Sequence, residues 1–138
     1  KVVKTGAPSR LQARFFADNR DGQSRIEASG NTFQTIRPHA RLHAFGHARN
    51  GAEAEARQLP IPAEQAALHP FAEIATTTAE AASLLVSVLL PVRPHEPEPA
   101  VTFSDEEGHL AIRIDSRGRR ARCRIVDTGT LPEFVVEV

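Results

Sequence analysis

His109-Leu110-Ala111-Ile112-Arg113-Ile114, then Asp115-Ser116-Arg117-Gly118, then Arg120-Ala121-Arg122-Cys123-Arg124-Ile125 is the stretch that decides the fold. In the first segment Leu110, Ile112 and Ile114 fall on one side of an extended chain. In the last, three arginines alternate with Ala121, Cys123 and Ile125. A period of two on both arms of a Gly-containing turn predicts an antiparallel hairpin, packed on one face and wet on the other.

The same signature recurs outward from this hairpin. Turn residues cluster every eight to twelve positions or so, the spacing of sandwiches and barrels. They lie at Gly6-Ala7-Pro8, Asn19 to Gly22, Ser29-Gly30-Asn31, Asn50-Gly51 and Pro60 to Pro62. Leu11, Ala13 and Phe15 alternate with Gln12 and Arg14. Thr32 to Ile36 returns against Ser24 to Ala28 as a second hairpin, and Arg41 to His47 continues as a strand. Ala52 to Gln58 holds helix formers in strict alternation; the period outweighs propensity, and it reads as a strand. Ala63 to Leu68 is long enough for one helical turn. Ser83 to Leu90 is a nearly continuous apolar run, which predicts a central strand covered on both faces and ended by Pro91. Phe134 to Val138 closes the chain as a short strand. The expected fold is all-β, an antiparallel β-sandwich of about ten to twelve short strands. Residues 1–138 are read as a single sandwich domain, with Pro91, Pro94, Pro97 and Pro99 making a stiff extended connection.

Seventeen basic residues balance seventeen acidic ones, so charge gives no case for nucleic acid. The chain opens on Lys1 and has no Met, Trp or Tyr; it is read as a fragment of a larger chain or a processed product. No apolar run reaches the ~20 residues of a membrane-spanning helix, so no membrane partner is expected. Cys123, the sole cysteine, excludes an internal disulfide. Its neighbours Arg122 and Arg124 would favour a thiolate, but the simpler reading is a small buried core residue.

Three groups of side chains carry chemistry worth weighing. His39, His43 and His47 share a face on a strand, but neighbours four apart are separated by about 13 Å. A metal would therefore need His69, His109 or Glu73 from elsewhere; the alternative is a solvated histidine face, and no metal or cofactor is expected. Arg113, Arg120, Arg122 and Arg124 form a basic stripe with Arg117 and Arg119 beside it. Guanidinium forks suit carboxylate and sulfate, which makes these four the candidate binding residues for an acidic polysaccharide. The competing reading is a charged outer face paired with Asp105, Glu106 and Glu107 or with water. Catalysis finds no motif: there is no Gly-x-Ser-x-Gly elbow and no Gly-rich phosphate loop, and spacing does not make an acid/base pair of Glu73 and Glu80.

Three segments also carry a family likeness. They are Arg10-Leu11-Gln12-Ala13-Arg14-Phe15-Phe16-Ala17-Asp18; Phe33-Gln34-Thr35-Ile36 with Ala40-Arg41-Leu42-His43-Ala44; and Leu84-Leu85-Val86-Ser87-Val88-Leu89-Leu90-Pro91. In order, the chain resembles the C-terminal β-sheet region of polysaccharide lyases of the heparinase II/III-like and oligoalginate-lyase type. The resemblance implies an α-helical toroid joined to antiparallel sheet domains, cleaving uronate-containing glycans by β-elimination. In such enzymes a base removes the proton beside the carboxylate and an acid, often a tyrosine, protonates the leaving oxygen. This chain has no tyrosine and no helical part, so no catalytic residue is carried over. The resemblance then implies an accessory domain, a scaffold or one wall of the substrate cleft, whose partner is a helical catalytic domain in the remainder of a larger polypeptide or another chain. It also implies a periplasmic or secreted location. The alternative is a free-standing sandwich that binds another protein and has no enzymatic activity.

Overall fold

The computed structural model describes residues 2–3, 7–80, 82–127 and 132–137; Lys1, Gly6 and Val138 of the sequence reading lie outside the described residues. Strand makes up 62% and helix 3%, and the architecture is all-β and of sandwich type. Contacts gather the chain into two compact units, Val2–Pro94 and His95–Val138. The boundary falls inside the proline-rich connection.

In the first unit the elements are β1 (Val2–Val3), β2 (Ser9–Phe16), β3 (Arg25–Ser29), β4 (Thr32–Arg37), β5 (Ala40–His47), β6 (Glu53–Arg57), α1 (Ala63–Ala66), β7 (Phe71–Thr78), β8 (Ala82–Ser83) and β9 (Val86–Val92). One antiparallel sheet has the order β2-β7-β6 and a second β3-β4-β5-β9, while β1 pairs with β8. The two larger sheets meet through Phe33 and Ala44 from one and Ala54, Ala72 and Ile74 from the other. Phe15 and Phe33 bring their rings within 5.2 Å across this layer. The alternation of β2 is as expected, with Leu11, Ala13 and Phe15 half-buried and Arg10, Gln12 and Arg14 exposed. In β6 the alternation also prevails over helix propensity. Alanine at 54 reaches the core while the glutamates on either side stay in water.

The apolar run from Ser83 to Leu90 behaves differently from its sequence reading. Its strand is β9, which starts later, lies at the sheet edge beside β5 alone and leaves Leu89 41% exposed. Pro91 does not end it but sits within it, opposite Leu42. An edge strand hydrogen-bonds on one side only, so a residue without an N–H fits there without breaking a ladder. The strand buried on both faces is instead β7, the centre of its sheet. A glutamate and three threonines in Phe-Ala-Glu-Ile-Ala-Thr-Thr-Thr give it neither clean alternation nor an apolar run.

The second unit is a four-stranded antiparallel meander of β10 (Ala100–Glu106), β11 (His109–Ser116), β12 (Arg119–Asp127) and β13 (Pro132–Glu137), in that order. The loop between β11 and β12 is Arg117-Gly118, both at positive φ, 56° and 69°. That is the two-residue turn whose twist matches a right-handed hairpin. It fixes Ser116 opposite Arg119 and Ile112 opposite Cys123. Val101, Phe103, Leu110, Ile112, Ile114 and Cys123 share the apolar face, where Ile112 and Cys123 are buried to 2% and 7% exposure.

Sheet separation in the first unit depends on Gly46. A Cβ there would collide with Cγ2 of Ile74 and come within 3.2 Å of the Asn31 carbonyl oxygen. Ile74 is fully buried and has nowhere to move. Gly46→Ala is therefore expected to lower stability by about 1–3 kcal/mol through overpacking, read as a shift of the urea midpoint at unchanged m-value. A midpoint equal to that of the unsubstituted chain would show that the sheets separate without strain.

Candidate anion-binding faces

Because side chains alternate along β11 and β12, register decides what the four candidate arginines face. Arg113 lies opposite Arg122, Arg120 opposite Asp115 and Arg124 opposite Ala111, so all four share the polar side of the sheet, away from Ile112 and Cys123. Cross-strand neighbours on one face stand about 5 Å apart at Cβ, and like charges placed so repel each other. Acidic residues answer part of that repulsion. Arg120 Nε lies 3.3 Å from Asp115 Oδ2, and Arg122 Nη2 lies 3.6 Å from Glu106 Oε1. The other oxygen of Glu106 is 2.9 Å from His109 Nε2. Arg117, in the turn, reaches Glu96 at 3.1 Å. Arg113 is exposed and has no ion pair among the described residues.

The expected pairing with Asp105, Glu106 and Glu107 is thus realised at Glu106, with Asp115 as an additional partner. These are surface pairs of modest strength, and an incoming carboxylate or sulfate can compete for the guanidinium groups. Arg113 and Arg120 are exposed while Arg122 and Arg124 are half-buried, so the face offers two open forks and two partly covered ones, with Arg113 uncommitted.

A second arginine group went unrecognised in the sequence. On the outer face of the β2-β7-β6 sheet, Glu73 lies opposite Arg14 on one side and Glu55 on the other. Glu73 is 2% exposed. Its Oε1 accepts from Arg10 Nη2 and its Oε2 from Arg14 Nε, both at 2.8 Å. Arg57 Nε stands 3.7 Å away and itself pairs with Glu55. Arg14 also covers the Phe71 ring, its guanidinium carbon 5.5 Å from the ring centre, and Phe16 packs beside that ring at 5.1 Å. Burial works against the Glu73 charge, but the Arg10 and Arg14 hydrogen bonds and the Arg57 charge outweigh it and hold the carboxyl below its ordinary range. The spacing of Arg10 and Arg14 placed both on the outer face; their carboxylate was hidden because β7 could not be read as a strand.

His43 and His47 share one face of β5, as the spacing implied, but it is not a solvated histidine face. His39 precedes β5, His43 is buried opposite Gln34 and Leu90, and His47 is half-buried opposite Val86. Only His39 has the solvated character expected of all three. Among the described residues no three His, Cys, Asp or Glu side chains gather as metal ligands. Glu80 sits in the turn after β7 and is exposed, well separated in role from the arginine-bound Glu73. Cys123 is a buried free thiol on the apolar face of β12. No helix among the described residues is long and apolar enough to cross a membrane. Compared with family models, with curated proteins and with solved structures, the chain matches none.

The Glu73 pairings set a pH dependence whose sign is fixed. A carboxyl held below its unfolded value contributes stability above the unfolded range and loses it as pH falls through the lowered folded value. Glu73→Gln is expected to lower stability at pH 7 by about 1–3 kcal/mol and to flatten the loss of stability on acidification. Urea unfolding of both chains at pH 7 and at pH values below the carboxylate range measures this; parallel curves at all pH values would rule out a charged role for Glu73.

Proposed function

We propose that this chain is an accessory β-sandwich portion of a polysaccharide lyase acting on uronate-containing glycans, a scaffold or cleft wall rather than the catalyst. The observation that carries the reading is the common face of Arg113, Arg120, Arg122 and Arg124 on β11 and β12. A polyuronate presents carboxylates in series, and several planar forks on one sheet face suit such a ligand. The order of strand segments that resembles heparinase II/III-like and oligoalginate lyases supports the same direction. In this reading the base and the general acid of β-elimination come from a helical catalytic domain elsewhere in the polypeptide or on another chain, and the protein works in the periplasm or outside the cell, where such polymers are met.

A second reading, a protein-interaction module without enzymatic activity, is favoured by one specific feature. β13 is an edge strand, and its Phe134 and Val136 are 60% and 54% exposed. An open edge flanked by apolar side chains is suited to strand addition by a partner.

The two readings part on a binding experiment. The full chain is expected to bind a polyuronate but not neutral dextran, more weakly as salt rises. Changing Arg120, Arg122 and Arg124 together to Ala is expected to weaken binding by about tenfold or more, about 1.4 kcal/mol. Absence of polyuronate binding, or an affinity untouched by the triple substitution, would sink the glycan reading.

A further inference from the structure

The two sheets of the first unit both end at the same margin, with β3 as the edge of one and β6 as the edge of the other. Between these strands opens a depression of roughly 440 Å³. Its floor is apolar and low because the inward residues are small. Ile26 comes from β3 and Ala56 from β6, with Ala67 and Pro70 contributed by the segment after α1. One wall is held firmly by Asn19, whose side-chain amide donates to the Ala67 carbonyl at 2.9 Å and whose Oδ1 accepts from the Ser24 N–H at 2.7 Å. Ser24 is committed in turn, donating to the Asp18 carbonyl and accepting from Arg37. The wall is therefore preorganised, and its polar groups serve the protein.

At the rim stand Arg25, Arg57 and Gln58; Arg57 is engaged by Glu55 and lies beside Glu73, which leaves Arg25 and Gln58 as the adaptable groups. Among the described residues no carboxylate lines the depression itself; Glu27 and Glu55 sit beside it on the rim arginines. Arg25 is bound only to Glu27 on its own strand, at 2.9 Å, in a pair 70% exposed on the arginine side. Such a pair holds its guanidinium weakly. An apolar floor with a few convergent polar groups, in a space of this size, has the make-up of a small-ligand site. The weakly held Arg25 guanidinium gives an incoming anion a partner at the mouth rather than on the floor.

We propose that this depression binds one or two sugar units bearing a carboxylate, the carboxylate meeting Arg25, the less polar ring face lying on Ile26 and Pro70, and a ring hydroxyl reaching Gln58. This is a second site, on a different sheet margin from the β11–β12 arginine face, and its ligand class rests on the acidic-glycan reading above.

The test is titration of the full chain, by calorimetry or NMR, with a diuronate and with its neutral disaccharide counterpart. Two variants probe the site without touching the Glu73 pairings: Arg25→Ala removes a rim cation and Ala56→Leu fills the floor. Urea unfolding confirms that each is folded. The diuronate is expected to bind the unsubstituted chain and to lose about fivefold or more in affinity in each variant, with no binding of the neutral sugar. Lack of diuronate binding, equal binding of the neutral sugar, or affinity unchanged in both variants overturns the proposal. The Arg120/Arg122/Arg124 triple variant separates the two sites. Diuronate affinity retained there, with polyuronate affinity reduced, supports two separate sites. Diuronate affinity lost there but kept in Arg25→Ala and Ala56→Leu overturns the depression and leaves the arginine face standing.

Discussion

Burial of β7 along nearly its whole length places a carboxylate inside a sheet, and the neighbouring strands are arranged around that demand. A buried carboxylate must be paired or surrender its charge. Glu73 is paired by Arg10 and Arg14 from β2 on one side, with Arg57 of β6 beside it. The long arginine side chains do two things at once. Their heads neutralise the carboxylate, and Arg14 also covers the Phe71 ring on the same sheet face. On the opposite face of the same strand, Ala72 and Ile74 meet Phe33 and Ala44 across the sandwich. One strand thus links the ionic roof to the apolar core, and register between β2 and β7 is held by both.

The second unit solves a simpler version of the same problem. Its sheet carries Ile112 and Cys123 on one face and the arginines, with a buried Ala111 among them, on the other. The Arg117-Gly118 turn is what holds that division, since a slip of one residue would exchange the two faces. Arginine at a left-handed backbone position is unusual among L-residues, and its partner Glu96 lies close by. Each arginine face is made of groups that pair with anions.

Much of this was legible where a single signal dominated. The alternation of β2, β6, β11 and β12 was readable because each strand has one wet face and one dry one. The hairpin of β3 and β4 was marked by Ser29-Gly30-Asn31. Strand β7 was not readable, for its buried Glu73 finds partners about sixty residues away in sequence, and no local pattern carries that information. Strand β9 misled for the opposite reason: its apolar residues imply burial on both sides, yet topology put it at an edge. The four candidate arginines could be assigned to one face from period alone. The anionic partners that restrain them, Asp115 and Glu106, depend on register, and Arg10, Arg14 and Arg57 could be joined only through a strand that was not visible. The depression between β3 and β6 arises from the meeting of two sheet edges, which sequence does not state.

Cys123 has a further use. It is the single sulfur atom in the chain, it lies on the apolar face of β12 between Ile112 and Val136, and the first compact unit contains no thiol. A maleimide or disulfide reagent can therefore reach its target only when the apolar face of β12 is uncovered. The labelling rate becomes a clock for exposure of that face, reported by one atom and by no residue of the sandwich around Ile74.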